Sequence, residues 1–296
     1  ASAGAITGGC TGISETFVGA NPTLTFTSND NTAWYYDAGA TVAVSTKITD
    51  GDFPGNAGKT LAGTFAHMDG YPFIMTTDGV LWGGDLNSVT AWTATSFDSA
   101  NSYPDKGVGC IRHKNFIIAF GTESMQFFYN TGSTPFPLSK ASSMTMKVGA
   151  VSANLITQIA DTIFFAGTTP QGGFSIFQYD GAISRISTPE VERVLITLGT
   201  TGCTMSAIRF FGRSFVIINT SAQSVNYVYC VEEKQWHIWQ NTSILVRPWN
   251  RIASTMSGSA LVNYSISTDD NTATGGVGKV YKMDTSSYIY GTDDSG

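Results

Sequence analysis

Charge is what this chain has least of. Asp, Glu, Lys and Arg together make up 13% of 296 residues, and the cationic side chains stand singly from Lys47 to Lys282. A sequence-independent nucleic-acid binder needs a basic stripe to neutralise phosphates, so this scatter, with a formal net charge of −6, argues against tight DNA binding. It does not argue against a wall past which DNA slides, since a surface that does not attract phosphates does not retain them. Cysteine is sparse too. Cys10, Cys110, Cys203 and Cys230 show no C-x-x-C spacing, which excludes the usual metal and disulfide frameworks and leaves reduced, partly buried thiols. No run approaches the roughly 18 apolar residues needed to cross a bilayer, and nothing resembles a secretory signal. Helix signals are confined to Thr188-Pro189-Glu190-Val191-Glu192-Arg193-Val194-Leu195-Ile196, with Thr188 as N-cap and Pro189 at the first position, predicting one or two turns.

Strand and turn residues are abundant instead. The chain has 32 glycines and 12% aromatics, which suits half-buried pleated surface interrupted by turns. One unit recurs: an apolar strand, a Gly/Asp/Asn turn, a second apolar strand, an aromatic strand and a polar-alternating strand. Its clearest copies run from His113 through Phe120 to Met125–Tyr129, and from Ala160 through Ala166 to Phe174–Asp180. The starts of the second strands, Phe73, Phe116, Phe164, Phe215 and Leu261, are spaced by 43, 48, 51 and 46 residues, by subtraction of their numbers. With the Ala33–Val44 copy, this predicts an all-β, six-bladed β-propeller, because a sheet that cannot bury its faces alone stacks radially on its neighbours. Expected blades are 1–58, 59–105, 106–150, 151–200, 201–250 and 251–296, in one domain. The start at Ala1-Ser2-Ala3-Gly4 and the stop at Asp293-Asp294-Ser295-Gly296 lead us to expect a piece of a longer chain.

Several strings invite a chemical reading. Ala273-Thr274-Gly275-Gly276-Val277-Gly278-Lys279-Val280 approximates a phosphate loop, but Ala273 and Val280 stand where the motif needs Gly and Ser or Thr. Asp50-Gly51-Asp52 with Asn56 offers calcium-like oxygens without the closing Glu. Thr76-Thr77-Asp78-Gly79-Val80-Leu81-Trp82 is similar to the Asp-box turn of sialidase propellers, yet the arginines share no blade position that could grip a carboxylate. His67, His113 and His237 occupy different places in the repeat, and no G-x-S-x-G elbow exists. We therefore expect no catalytic residue, no metal, no cofactor and no enzyme activity. Trp236, Trp239, Trp249, Tyr288 and Tyr290 are candidates for stacking on sugars or anchoring a partner, with inter-blade packing as the plainer role.

Phe120-Gly121-Thr122-Glu123-Ser124-Met125-Gln126-Phe127-Phe128-Tyr129-Asn130, Phe164–Gly167, Gly172–Phe177, Asp180-Gly181 and Ser184–Pro189 resemble blades of the packaged-DNA stabilisation, hub or nozzle proteins of short-tailed phages. The likeness is best over residues 60–200. It implies a structural protein of the phage tail in the virion, ringed around the DNA exit channel, with portal or adaptor above and fibre, spike or needle below. DNA would pass without sequence-specific binding. Cyclic symmetry leads us to expect a ring, as a homohexamer. The loops around Gly132, Ser133, Thr134, Phe136 and Lys140, and around Thr268, Asp269, Asp270 and Asn271, are the expected interfaces, because rigid scaffolds carry recognition on loops. A carbohydrate-binding, lectin-like propeller is the alternative, followed by a propeller glycoside hydrolase.

Overall fold

The computed structural model describes residues 9–17, 21–40, 45–100, 103, 105–168, 174–198, 203–220, 225–240, 246–257, 260–269 and 279–283. Its strands form six antiparallel sheets in chain order. The first has β1 (Cys10–Phe17), β2 (Pro22–Ser28), β3 (Ala33–Asp37) and β4 (Thr46–Lys47). The second has β5 (Leu61–Met68), β6 (Tyr71–Thr76), β7 (Val80–Gly84) and β8 (Trp92–Ser99). The third has β9 (Gly107–His113), β10 (Phe116–Gly121), β11 (Met125–Asn130) and β12 (Leu138–Lys140). The fourth has β13 (Gly149–Ala150), β14 (Ile156–Ile159), β15 (Thr162–Thr168), β16 (Phe174–Tyr179) and β17 (Ile183–Arg185). After helix α1 (Pro189–Leu198), the fifth has β18 (Thr204–Phe210), β19 (Arg213–Asn219), β20 (Val225–Cys230) and β21 (Gln235–Gln240). The last has β22 (Val246–Ser257), β23 (Ala260–Asp269) and β24 (Lys279–Met283).

The expectation of six blades is therefore corrected to five. Five sheets carry four or more strands, whereas β22–β23–β24 is three-stranded among the described residues. The physical reason lies in which strands announce themselves. Apolar second and third strands are visible in a sequence, and residues 251–296 have both. An outer strand can be short and polar, as β4, β12 and β17 are, and the sixth blade's was expected at Tyr288 and Tyr290, which lie outside the described residues.

The chain divides into two compact units, residues 1–156 with 165–185, and 157–164 with 186–296. In the first unit, successive residues of β6 point to opposite sides, as strand geometry requires. Phe73 and Met75 join Met68, Cys110, Ile117, Phe128 and Phe136 on one side. Ile74 joins Phe53, Phe65, Trp82 and Trp92 on the other. All three residues of β6 are fully buried, so this strand has a core on each face. Full burial of such a side chain stabilises by about 1.5–3 kcal/mol. In the second unit, Ile208, Phe210, Ile217 and Val228 form the corresponding cluster with Phe215 and Trp239 against it.

Two hairpins in the first unit carry the same side-chain relay. Trp34 Nε1 donates to Thr32 Oγ1 at 3.0 Å, and that hydroxyl donates to Asp30 at 2.6 Å. Trp82 Nε1 donates to Thr76 Oγ1 at 3.3 Å, and Thr76 donates to Asp78 at 2.6 Å. The second relay joins β6 to β7 across their turn, so Thr76, Asp78 and Trp82 brace a hairpin, whereas the first runs from the β2–β3 turn into β3. In the third sheet Asp105 does this differently, accepting from Glu123 N at 2.9 Å and Ser124 Oγ at 3.1 Å.

Helix α1 begins as predicted, with Thr188 Oγ1 accepting from Val191 N at 3.5 Å. It is longer than the one or two turns expected, at 10 residues. Val191 and Leu195, one turn apart, are both buried, and this packing carries the helix past its local signal.

Candidate functional site

In the first unit, β5 lies between β1 and β9. Among the described residues each of these strands pairs with one other strand, β1 with β2, β5 with β6 and β9 with β10. They crowd together near their starts. Gly63 has φ +76°, and a Cβ there would stand 3.1 Å from Gly109 Cα and 3.2 Å from Ala153 Cβ. A side chain would face both backbone strain and a clash, so glycine is required at this approach.

Beyond it opens a cleft of about 580 Å3. Its lining comes in consecutive runs, residues 13–17, 63–70 and 109–112. Side chains alternate along a strand, so unbroken runs mean that backbone edges as well as side chains form the wall.

One wall carries a polar group that no local motif announces. Ser14 Oγ lies 2.7 Å from Thr25 Oγ1, and His67 Nε2 lies 3.2 Å from the first and 3.3 Å from the second. The imidazole stacks on Phe65, with centroids 6.0 Å apart at 20°. Burial lowers the His67 pKa to about 4, because a charged ring would lose its hydration there. The ring is thus neutral at neutral pH. A serine beside a histidine has the outline of a nucleophile and base, but a base of such low pKa takes up a serine proton poorly. Among the described residues, no carboxylate is recorded bonding to the imidazole. Cys110, on the same cleft, is pushed up to about 12 by burial and stays a protonated thiol. Thr64 Oγ1 is buried without a hydrogen-bond partner among the described residues. The charges are Glu15, Asp69 and Arg112, two acids to one cation.

The residues picked from the sequence fall elsewhere. Gly132 has φ +64° with open space where a side chain would lie, and Ser133 and Thr134 are exposed beside it. Phe136 is buried and meets Phe73 edge-on at 6.1 Å. Lys140 Nζ pairs with Asp98 at 3.2 Å. Thr268 and Asp269 end β23, while Asp270 and Asn271 lie outside the described residues. The phosphate-loop-like stretch at 273–278 lies outside them too.

At the calcium-like turn, Asp50 accepts from Asp52 N at 2.9 Å and Trp92 N at 3.0 Å, and Asn56 Nδ2 donates to Asp50 O at 2.7 Å. These bonds make the turn a staple. His113 packs on Tyr179 at 5.5 Å, and His237 sits on Glu233 at 3.5 Å. Trp236 donates to Ile186 O at 2.8 Å and Trp239 packs on Phe215 at 5.3 Å, so both tryptophans are engaged within their own unit. The cleft's polar group escaped sequence reading; the available signal was Thr23, Thr25 and Thr27 alternating with Leu24 and Phe26 along β2.

A family model described as bacteriophage P22 Gp10, β-propeller, matches residues 18–276. No curated protein matches the chain. Among solved structures, a putative exported protein from Bacteroides fragilis is 11% identical over 88% of this chain and 79% of its own, with a TM-score of 0.45. The WD40 domain of SCAP from fission yeast is 10% identical over 89% and 72%, with a TM-score of 0.43. The Cps50 (Swd1) β-propeller domain of Myceliophteria thermophila is 9% identical over 74% and 66%, with a TM-score of 0.39. Likenesses this distant carry no argument about function.

Proposed function

The chain belongs to the phage stabilisation family represented by the bacteriophage P22 Gp10 β-propeller, and from that premise we propose that it is a structural tail component, a hub or nozzle, that retains packaged DNA. The match over residues 18–276 is the observation that carries this reading. In it, several copies form a closed ring, a homohexamer, around the exit channel, because identical subunits joined head to tail must close to give a tail its rotational symmetry. The portal or its adaptor sits on one side and a fibre, spike or needle on the other. The loop from Gly132 to Met146 and the segment from Thr268 to Gly278 are the proposed subunit contacts.

Two features support a passive wall around DNA. The formal charge is −6, so the average surface repels phosphate. The cleft of about 580 Å3 has the size of a small-ligand site, so DNA would travel between subunits and not through one. The non-enzymatic reading rests on the same cleft, where the serine and histidine lack the activation a hydrolase needs.

Quantitative mass spectrometry of purified virions, with the portal protein as internal standard, tests the assignment. The expected result is a fixed copy number per virion, on the order of six, as a closed homohexameric ring would give. Absence from intact particles, or a monomer within them, would overturn it and return the sugar-binding reading to first place.

A further inference from the structure

The cleft among β1, β5 and β9 has a chemistry that a passive wall does not use. Among the described residues each of its three strands has one edge with no strand partner, and a strand edge is a row of backbone donors and acceptors at the spacing of another strand. We infer that this cleft takes an extended peptide segment laid along β5, an inference that goes beyond the structural role proposed above.

Length, polarity and charge narrow the ligand. The cleft follows β5 from Thr64 to Asp69, and at about 3.3 Å per residue this accommodates four or five residues of extended chain. Its lining is mixed, with Phe65, Met68 and Ile111 beside the Ser14–Thr25–His67 group. Ser14, Thr25 and His67 bond one another on one wall, which leaves the strand edges as the groups that a ligand would satisfy. A purely apolar ligand would leave the strand edges unsatisfied, at the usual cost of burying unpaired polar atoms. An anionic one would meet Glu15 and Asp69, which outnumber Arg112. The fitting occupant is a neutral stretch of small polar and β-branched residues carrying a lysine or arginine at one end. Recognition of this kind takes affinity from the main chain and selectivity from alternate side chains.

Amide NMR of the full chain with three probes tests this. The first is the peptide Ac-Ala-Thr-Val-Thr-Lys-NH2, the second is the same peptide N-methylated at alternate residues, and the third is cellobiose. The first should shift the amides of Thr64 to Asp69 with a Kd of about 0.1–1 mM. The N-methylated peptide should bind at least about tenfold more weakly, having lost its backbone donors. Glu15→Lys, a change at an exposed position that leaves the thermal melt in place, should weaken the lysine-ended peptide and strengthen its glutamate-ended counterpart. No shift with the first peptide, equal binding of its N-methylated form, or shifts with cellobiose alone would overturn the inference. None of these results bears on whether the protein is found in virions, so the two readings fail separately.

Discussion

Folding stability should fall as pH drops from about 6.5 to about 4, and His67 should account for much of the fall. In the folded chain its pKa is lowered from 6.5 to about 4 by burial, whereas in the unfolded chain it returns to the ordinary histidine value. Between these two values the unfolded state holds the extra proton, so the linkage slope makes stability rise with pH in this window. The contribution is fully present above pH 6.5, declines as acid is added, and is gone once pH has fallen through 4. Two and a half pH units at about 1.4 kcal/mol per unit give a loss of about 3 kcal/mol, which is a large share of the roughly 5–15 kcal/mol that holds a domain together. Urea unfolding at closely spaced pH values, on the native chain and on His67→Gln, isolates the term because all other titrating groups are common to both. The variant should be less stable at pH 7.5, since the Ser14 and Thr25 contacts are altered, but its decline from pH 6.5 to 4 should be shallower by about 3 kcal/mol. Parallel pH profiles for the two proteins would refute the reasoning.

Two further outcomes follow from packing. Phe73→Ala should cost about 3–5 kcal/mol, the range for removing a buried aromatic, because Phe73 is fully buried against Phe136. In the same urea assay Phe97→Ala, at a position 44% exposed, should cost far less, and equal losses would contradict the core assignment. Gly63→Ala should destabilise by about 1–3 kcal/mol through a strained backbone and crowding against Gly109 and Ala153. An unchanged or raised melting temperature would show that β5 and β9 do not converge there.

What could be read from the sequence was whatever is local and apolar. Phe116–Phe120, Met125–Tyr129 and Phe174–Tyr179 announce themselves as hydrophobic runs between turns, and they are the second and third strands of their blades. Thr188 and Pro189 marked the start of α1 for the same local reason. The outer strands carry no such signal. β4 has 2 residues and β12 and β17 have 3 each, so the blade count rested on elements too short and polar to see. The cleft was illegible for another reason. Its polar group joins positions 42 and 53 residues apart, and no periodicity links Ser14 to His67 before the strands are paired. Phe136 shows the converse. It stands in a polar loop sequence, Gly132-Ser133-Thr134-Pro135, and only the folded chain brings it against Phe73.

The Asp–Thr–Trp relays of the first two sheets bear on how the chain finds its register. Each links residues no more than six apart in sequence, so it can close before any blade meets its neighbour, at little loop entropy. In the second sheet the relay crosses the hairpin, so a one-residue slip of β7 against β6 would turn Trp82 to the opposite face of its sheet and strip the indole N–H from Thr76. The mispaired hairpin would then lose its bracing bonds and its apolar anchor in the same step. The Thr76–Trp82 bond therefore acts as a proofreading contact, rejecting the wrong strand alignment while the error still involves a single hairpin.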